Sequence, residues 1–233
     1  MTTTAVAERD FMITTTKHSE FFQPLDVTDA FHIIGCGAIG SHIGEQLARL
    51  GLTNIHLYDF DIVTDHNIAN QMYVDSDIDT NKLEALQDYM LEINPDIETH
   101  LHLKGWVPGT YLSGYVFMCV DSITVRQEIL KDNKYNNQIK AFFDFRMRLS
   151  DAQHYAAPGG IEGADALLKT MAFTENEAKE ATPVSACGTT LSILPTVKII
   201  TSCGISNLIN FIKGQPLKKL ILIDAFDFTI DAY

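Results

Sequence analysis

The stretch Gly35-Cys36-Gly37-Ala38-Ile39-Gly40 constrains this chain more than any other. Before it runs an apolar segment, Ala30 to Ile34, that reads as a strand. After it, Ser41 to Leu50 carries Ile43, Leu47 and Leu50 at helical spacing, and Gly51 is a natural helix terminator. A strand that turns through glycines into a helix leaves the first helical N–H groups without partners and turns the positive end of the helix dipole toward the loop. That arrangement suits a phosphate. Gly35 allows the tight turn, Gly37 lets a ligand approach the backbone, and Gly40 lets helix and strand pack closely. The next apolar strand, Asn54 to Tyr58, ends at Asp59, where a carboxylate can accept from a ribose hydroxyl. A nucleotide site follows from this grouping, with glycines used only for packing as the alternative.

The alternation continues. Asn81 to Ile93 reads as a helix stopped by Asn94-Pro95, and Glu98 to Leu103 as an alternating strand. Tyr115 to Val120 is an unbroken apolar run ending in Asp121, as expected of a parallel strand covered on both faces, and a helix from Ile123 to Lys131 follows. Strand–helix alternation predicts an α/β, doubly wound, mainly parallel sheet. Lys140 to Leu149 and Asp151 to Ala156 read as two further strands ahead of the breaker Pro158-Gly159-Gly160. Gly163 to Ala181 is acidic and partly helical, and Thr189 to Ile212 is an apolar helix in which Pro195 must sit in the first turns or cause a kink. Leu217 to Asp224 and Phe226 to Ile230 close the chain as strands. With no linker to divide it, residues 1–233 form one domain, with 1–28 as an N-terminal extension and 157–188 as a long crossover loop.

Charge narrows the partners. With 17 Lys+Arg against 30 Asp+Glu the net charge is −13, which argues against nucleic acid and against an anionic membrane surface. No apolar run is long enough to span a bilayer, and the Thr-rich start lacks the pattern of a signal peptide. Cys36, Cys119, Cys187 and Cys203 are isolated, which fits a reducing cytoplasm.

Beyond Asp59 the sequence reads Asp59-Phe60-Asp61-Ile62-Val63, then Asn67-Ile68-Ala69-Asn70-Gln71, then Lys82 at a helix start and Asp121 followed by Arg126. In this order, from about Phe31 to Gly214, the chain resembles the adenylating domain of the ThiF/MoeB family, bacterial relatives of ubiquitin-activating enzymes. The resemblance implies a Rossmann-like fold whose sheet is continued by antiparallel C-terminal strands. It also implies ATP-dependent adenylation of the C-terminal carboxylate of a ubiquitin-like or small carrier protein or peptide, by a homodimer. Gly35, Gly37, Ala38, Gly40, Asp59, Asp61, Asn67, Gln71 and Lys82 would bind ATP, with Asp59 on the ribose and Lys82 on a phosphate. Lys82 and Asp121 would be catalytic, Asp121 as the ligand of Mg²⁺. The CxxC pairs that hold zinc in the family are absent, so no structural zinc is expected.

Cys187 precedes the apolar helix, where divergent members of the family place a cysteine. A thiolate at a helix N-terminus could take the acyl group as a thioester, the alternative being a small buried hydrophobe. Cys36, Cys119 and Cys203 read as structural. Asp144-Phe145-Arg146-Met147 resembles a stretch in divergent members, with a structural ion pair as its simpler reading, and Glu175 to Glu180 reads as a solvated face. His100 and His102 alternate on a strand with no third ligand nearby, which favours an exposed strand face over a metal site. One departure from the pattern matters: Asn70 stands where the family has an arginine, and Asn cannot supply that charge. Arg9 is the one arginine ahead of the glycine loop. A non-catalytic dimeric scaffold therefore stays open. A nicotinamide-dependent oxidoreductase would share the glycine loop and Asp59 but leave the later residues unexplained.

Overall fold

The computed structural model describes residues 13–182, 184 and 191–233. Eight strands form one sheet: β1 (Phe31–Ile34), β2 (Asn54–Tyr58), β3 (Glu98–His102), β4 (Gly114–Met118), β5 (Ile139–Met147), β6 (Asp151–Pro158), β7 (Leu220–Asp224) and β8 (Thr229–Ala232). Their order is β3-β2-β1-β4-β5-β6-β7-β8; the pairs from β3 through β5 are parallel, and those from β5 to β8 antiparallel. This is the expected doubly wound sheet with antiparallel strands at its C-terminal end.

Six helices cover it: α1 (Ala38–Leu50), α2 (Lys82–Ile93), α3 (Ile123–Asp132), α4 (Ile161–Thr170), α5 (Glu175–Ala181) and α6 (Leu194–Ile212). Strand residues alternate between two cores. Phe31, Ile33, Leu57, Phe117 and Phe143 pack with α1, α2 and α6, while Ile34, Tyr58, Val116, Met118 and Phe142 pack with α3 and α4. Pro195 lies in the first turn of α6, where its missing N–H costs nothing. Within the segment 157–188, α4 and α5 supply the helical content expected over Gly163 to Ala181. Cys203 is half-buried, packed against the edge of the core beside a groove between α6 and β7–β8. Among the described residues, no helix is long and apolar enough to cross a membrane.

Four histidines form an unexpected row across β1–β3. His56 stacks on His32 with ring centroids 4.4 Å apart and on His100 at 4.3 Å, and His102 stacks on Tyr58 at 4.0 Å. His102 is thus half-buried rather than on an open face, and among the described residues no three His, Cys, Asp or Glu side chains converge as metal ligands.

Candidate functional site

β1 pairs with β2 on one side and with β4 on the other, so the chain leaves β1 at the point where the order of connection reverses. In doubly wound sheets this switch point opens a crevice at the carboxyl ends of the strands. The glycine turn fills its floor. Gly35 has φ +94°, a conformation that side chains rarely adopt, and a Cβ there would lie 2.8 Å from Val120 N beyond β4. A Cβ on Gly40 would lie 1.9 Å from Gly35 O. Gly40→Ala should accordingly destabilise the fold by about 3 kcal/mol, read as a lowered unfolding midpoint. An unchanged midpoint would show that the turn is not held by this contact.

Gly37 behaves differently. It is the residue before α1, and a Cβ built on it meets nothing within 4 Å. Backbone donors at the positive end of a helix therefore face open space, the arrangement a phosphate requires.

Asp59 anchors this turn. Its Oδ2 accepts from Cys36 N at 2.7 Å, and its Oδ1 accepts from Phe60 N at 2.8 Å and Asp61 N at 3.0 Å. Much of its capacity is thus spent on the protein's own backbone, a role the sequence did not disclose. The Tyr73 hydroxyl donates to Cys36 O at 2.6 Å and Ser41 Oγ accepts from Met72 N at 3.1 Å, so the segment after β2 is fastened to the glycine turn. Neither side chain belongs to a motif that would have marked it. On that segment, Asn67 is buried and its Oδ1 accepts from Thr64 N at 3.0 Å, holding a short 3₁₀ turn. Gln71 has a buried Oε1 without a hydrogen-bond partner among the described residues. Such an atom is costly unless a ligand or water completes it.

Lys82 opens α2, capped by Asn81, whose Oδ1 accepts from Leu83 N at 2.9 Å. The lysine is buried, and its Nζ lies 2.9 Å from Oδ2 of the half-exposed Asp61. Asp121 is exposed and follows Val120 at the end of the β4 segment; its carboxylate makes no hydrogen bond among the described residues. The structure thus gathers Gly35, Gly37, Ala38, Gly40, Asp59, Asp61, Lys82 and Asp121 at the carboxyl ends of β1, β2 and β4, with Asn67 and Gln71 on the connected segment. The residues fit a nucleotide phosphate and, at Asp121, a hard divalent cation. Asn70 uses its side-chain amide on Ser192 Oγ, at the entry to α6, and its carbonyl accepts from His42 Nε2 at 3.1 Å. Cys187 lies outside the described residues. Burial pushes the thiols of Cys36 and Cys119 up, which suits structural roles.

The profile of the ThiF family matches residues 27–232. The chain belongs to the ThiF family. Among curated ThiF-type relatives, it is 31% identical over 123 residues to the ubiquitin-like modifier-activating enzyme 5 of Caenorhabditis briggsae, covering 46% of this chain and 28% of that one. It is 27% identical over 103 residues to the molybdopterin-synthase adenylyltransferase of Salmonella typhimurium, covering 42% and 41%. The matched stretch is thus under half the length of either relative. Structures of E. coli MccB, one with ATP and one with AMPCPP and MccA, superpose with a TM-score of 0.66 at 19% identity, covering 88% of this chain and 63% of theirs. At that identity the likeness shows a shared fold.

Proposed function

We propose that this ThiF-family chain activates the C-terminal carboxylate of a ubiquitin-like or small carrier protein, or of a peptide, by adenylation with ATP and Mg²⁺. One observation carries the reading: the open N-terminus of α1 at Gly37 shares the crevice with the Lys82–Asp61 pair and with Asp121, an exposed acid without a hydrogen bond among the described residues. A carboxylate oxygen of the partner attacks the α-phosphorus of ATP, the bond to the β-phosphate oxygen breaks, and pyrophosphate leaves. The charge that develops lies on phosphoryl oxygens, so preorganised donors and cations do most of the work. Gly37 and Ala38 present backbone N–H groups, Lys82 supplies a cation, and Asp59 keeps the turn in shape with lone-pair capacity left for a ribose hydroxyl. Bound at Asp121, Mg²⁺ would neutralise charge on the phosphate oxygens.

In a second step assigned from the sequence alone, the Cys187 thiolate attacks the acyl adenylate, forming a thioester and releasing AMP. The expected assembly is a homodimer. ATP–pyrophosphate exchange, stimulated by a candidate protein ending in glycine, tests the first step; Cys187→Ser should keep the exchange and lose a thiol-sensitive acyl adduct. The engagement of Asn70 with Ser192 favours a second reading, a binding scaffold without catalysis. Wild-type protein that binds ATP with Mg²⁺ in preference to NADH, yet catalyses no exchange with any acceptor, would decide for the scaffold.

A further inference from the structure

Asp144, fully buried on β5, meets two guanidinium groups, although a structural ion pair needs one. Its Oδ1 accepts from Arg126 Nη1 and its Oδ2 accepts from Arg146 Nε at 2.7 Å. Each arginine leads elsewhere. Arg126, on α3, donates through Nε to Val120 O at 2.8 Å and through Nη1 to Phe145 O at 2.6 Å. That Val120 carbonyl immediately precedes Asp121. Arg146 donates to Thr170 O at 2.8 Å and to Thr170 Oγ1 at 2.7 Å, at the end of α4, and its guanidinium lies 4.3 Å from the centroid of the Tyr155 ring.

From Thr170 the path returns to Asp121 by another route. Gln127 Nε2, on α3, donates to Met171 O at 2.8 Å. Glu175, at the start of α5, accepts on Oε2 from Ser122 Oγ at 3.2 Å and from Thr124 N at 3.3 Å. The stretch Val120–Ser122 that carries Asp121 therefore closes a circuit that runs through Arg126, Asp144, Arg146 and the segment 170–175. Withdrawing a second guanidinium from water to complete this circuit is costly, and packing alone does not call for it.

We propose that Asp144 is a positioning residue for Asp121: through Arg126 it fixes the strand end that carries Asp121, and through Arg146 it couples that strand end to the segment 170–175 within the crossover. The inference rests on the nucleotide reading only in giving Asp121 a divalent cation to hold. Groups that orient a metal ligand from behind typically change metal affinity by about 10- to 100-fold when removed.

Two measurements on Asp144→Asn test it: amide hydrogen exchange across 119–122 and 171–177, and titration of Mn²⁺ in the presence of ATP, followed by electron paramagnetic resonance. Exchange should rise in both segments together, and the Mn²⁺ half-saturation should rise by about tenfold. A lowered unfolding temperature with exchange at 119–122 and Mn²⁺ affinity both unchanged would reduce Asp144 to a structural ion pair and overturn the proposal. Wild-type protein that binds no Mn²⁺ with ATP would instead sink the nucleotide reading, while the exchange data still decide the coupling. Should Asp144→Asn fail to fold, Arg146→Lys keeps the charge and removes the fork on Thr170. Faster exchange in both segments then supports the proposal, and faster exchange in 171–177 alone overturns it.

Discussion

Asp121→Ala should lower ATP–pyrophosphate exchange by about two to three orders of magnitude, the usual loss when one preorganised electrostatic group is removed from an active site. The same substitution should shift stability by less than about 0.5 kcal/mol, because the side chain is exposed and makes no hydrogen bond among the described residues. Asp59→Ala provides the contrast. It strips an acceptor from three backbone N–H groups, one of them in the glycine turn, and each such bond to a carboxylate is worth about 1.5 to 3 kcal/mol. Its loss of activity should therefore come with a lower unfolding temperature. Exchange by Asp121→Ala within a factor of three of wild type would remove Asp121 from the reaction.

The second large effect is on stability at mildly acid pH. His32 Nε2 accepts from Ser113 N at 3.2 Å, which leaves Nδ1–H to donate to the Tyr58 hydroxyl at 2.9 Å. His154 donates from Nδ1 to Asp144 O at 3.2 Å and accepts on Nε2 from Asn207 Nδ2 at 3.2 Å. Both rings are held neutral, and an added proton would face an N–H donor already in place. Burial first, joined for His32 by the neighbouring His56, His102 and His100, lowers the pKa of His32 to about 3, and burial lowers that of His154 to about 4. An unfolded chain titrates these imidazoles near 6.5, so it gains protons that the folded chain refuses. Stability is full above pH 6.5 and falls as the pH drops toward the folded-state values. At pH 5 each ring should have removed about 2 kcal/mol. Together the two lower the thermal midpoint by about 10 °C. Melting curves at pH 7.5 and pH 5 measure this, and His154→Gln should carry a smaller difference between them. Equal midpoints for the wild type would refute the assignment of buried, neutral imidazoles.

The centre of the parallel half was legible because β1, β2 and β4 are mainly apolar and run on into Gly35, Asp59 and, two residues past Cys119, Asp121. Asn54 to Tyr58 was read to the residue, and α2 differed only in that Asn81 proved to be its cap. The residues that the resemblance put forward for a nucleotide were legible as candidates because they follow one another in a fixed order along the chain, and the structure brings most of them to the carboxyl ends of β1, β2 and β4. What eluded the sequence depends on registers between distant segments. Nothing local shows that Asp59 spends its carboxylate on Cys36 N, that Tyr73 reaches Cys36 O, or that Glu175 turns from solvent to the start of α3. The histidine row escaped for the same reason: His32, His56 and His100 align only once β1, β2 and β3 are paired side by side.

The contact between Gly35 and the Cys119–Val120 peptide has a consequence for biogenesis. The loop that would cradle phosphate is written early in the chain, yet one of its walls comes from the end of β4. While the chain is being synthesised, the glycine segment and the strand before it emerge first and cannot take their final shape until β4 has emerged and paired with β1. On the proposed nucleotide reading, a nascent or truncated chain that ends ahead of β4 would lack this wall and could not hold the phosphates, so binding would report that the centre of the sheet has closed.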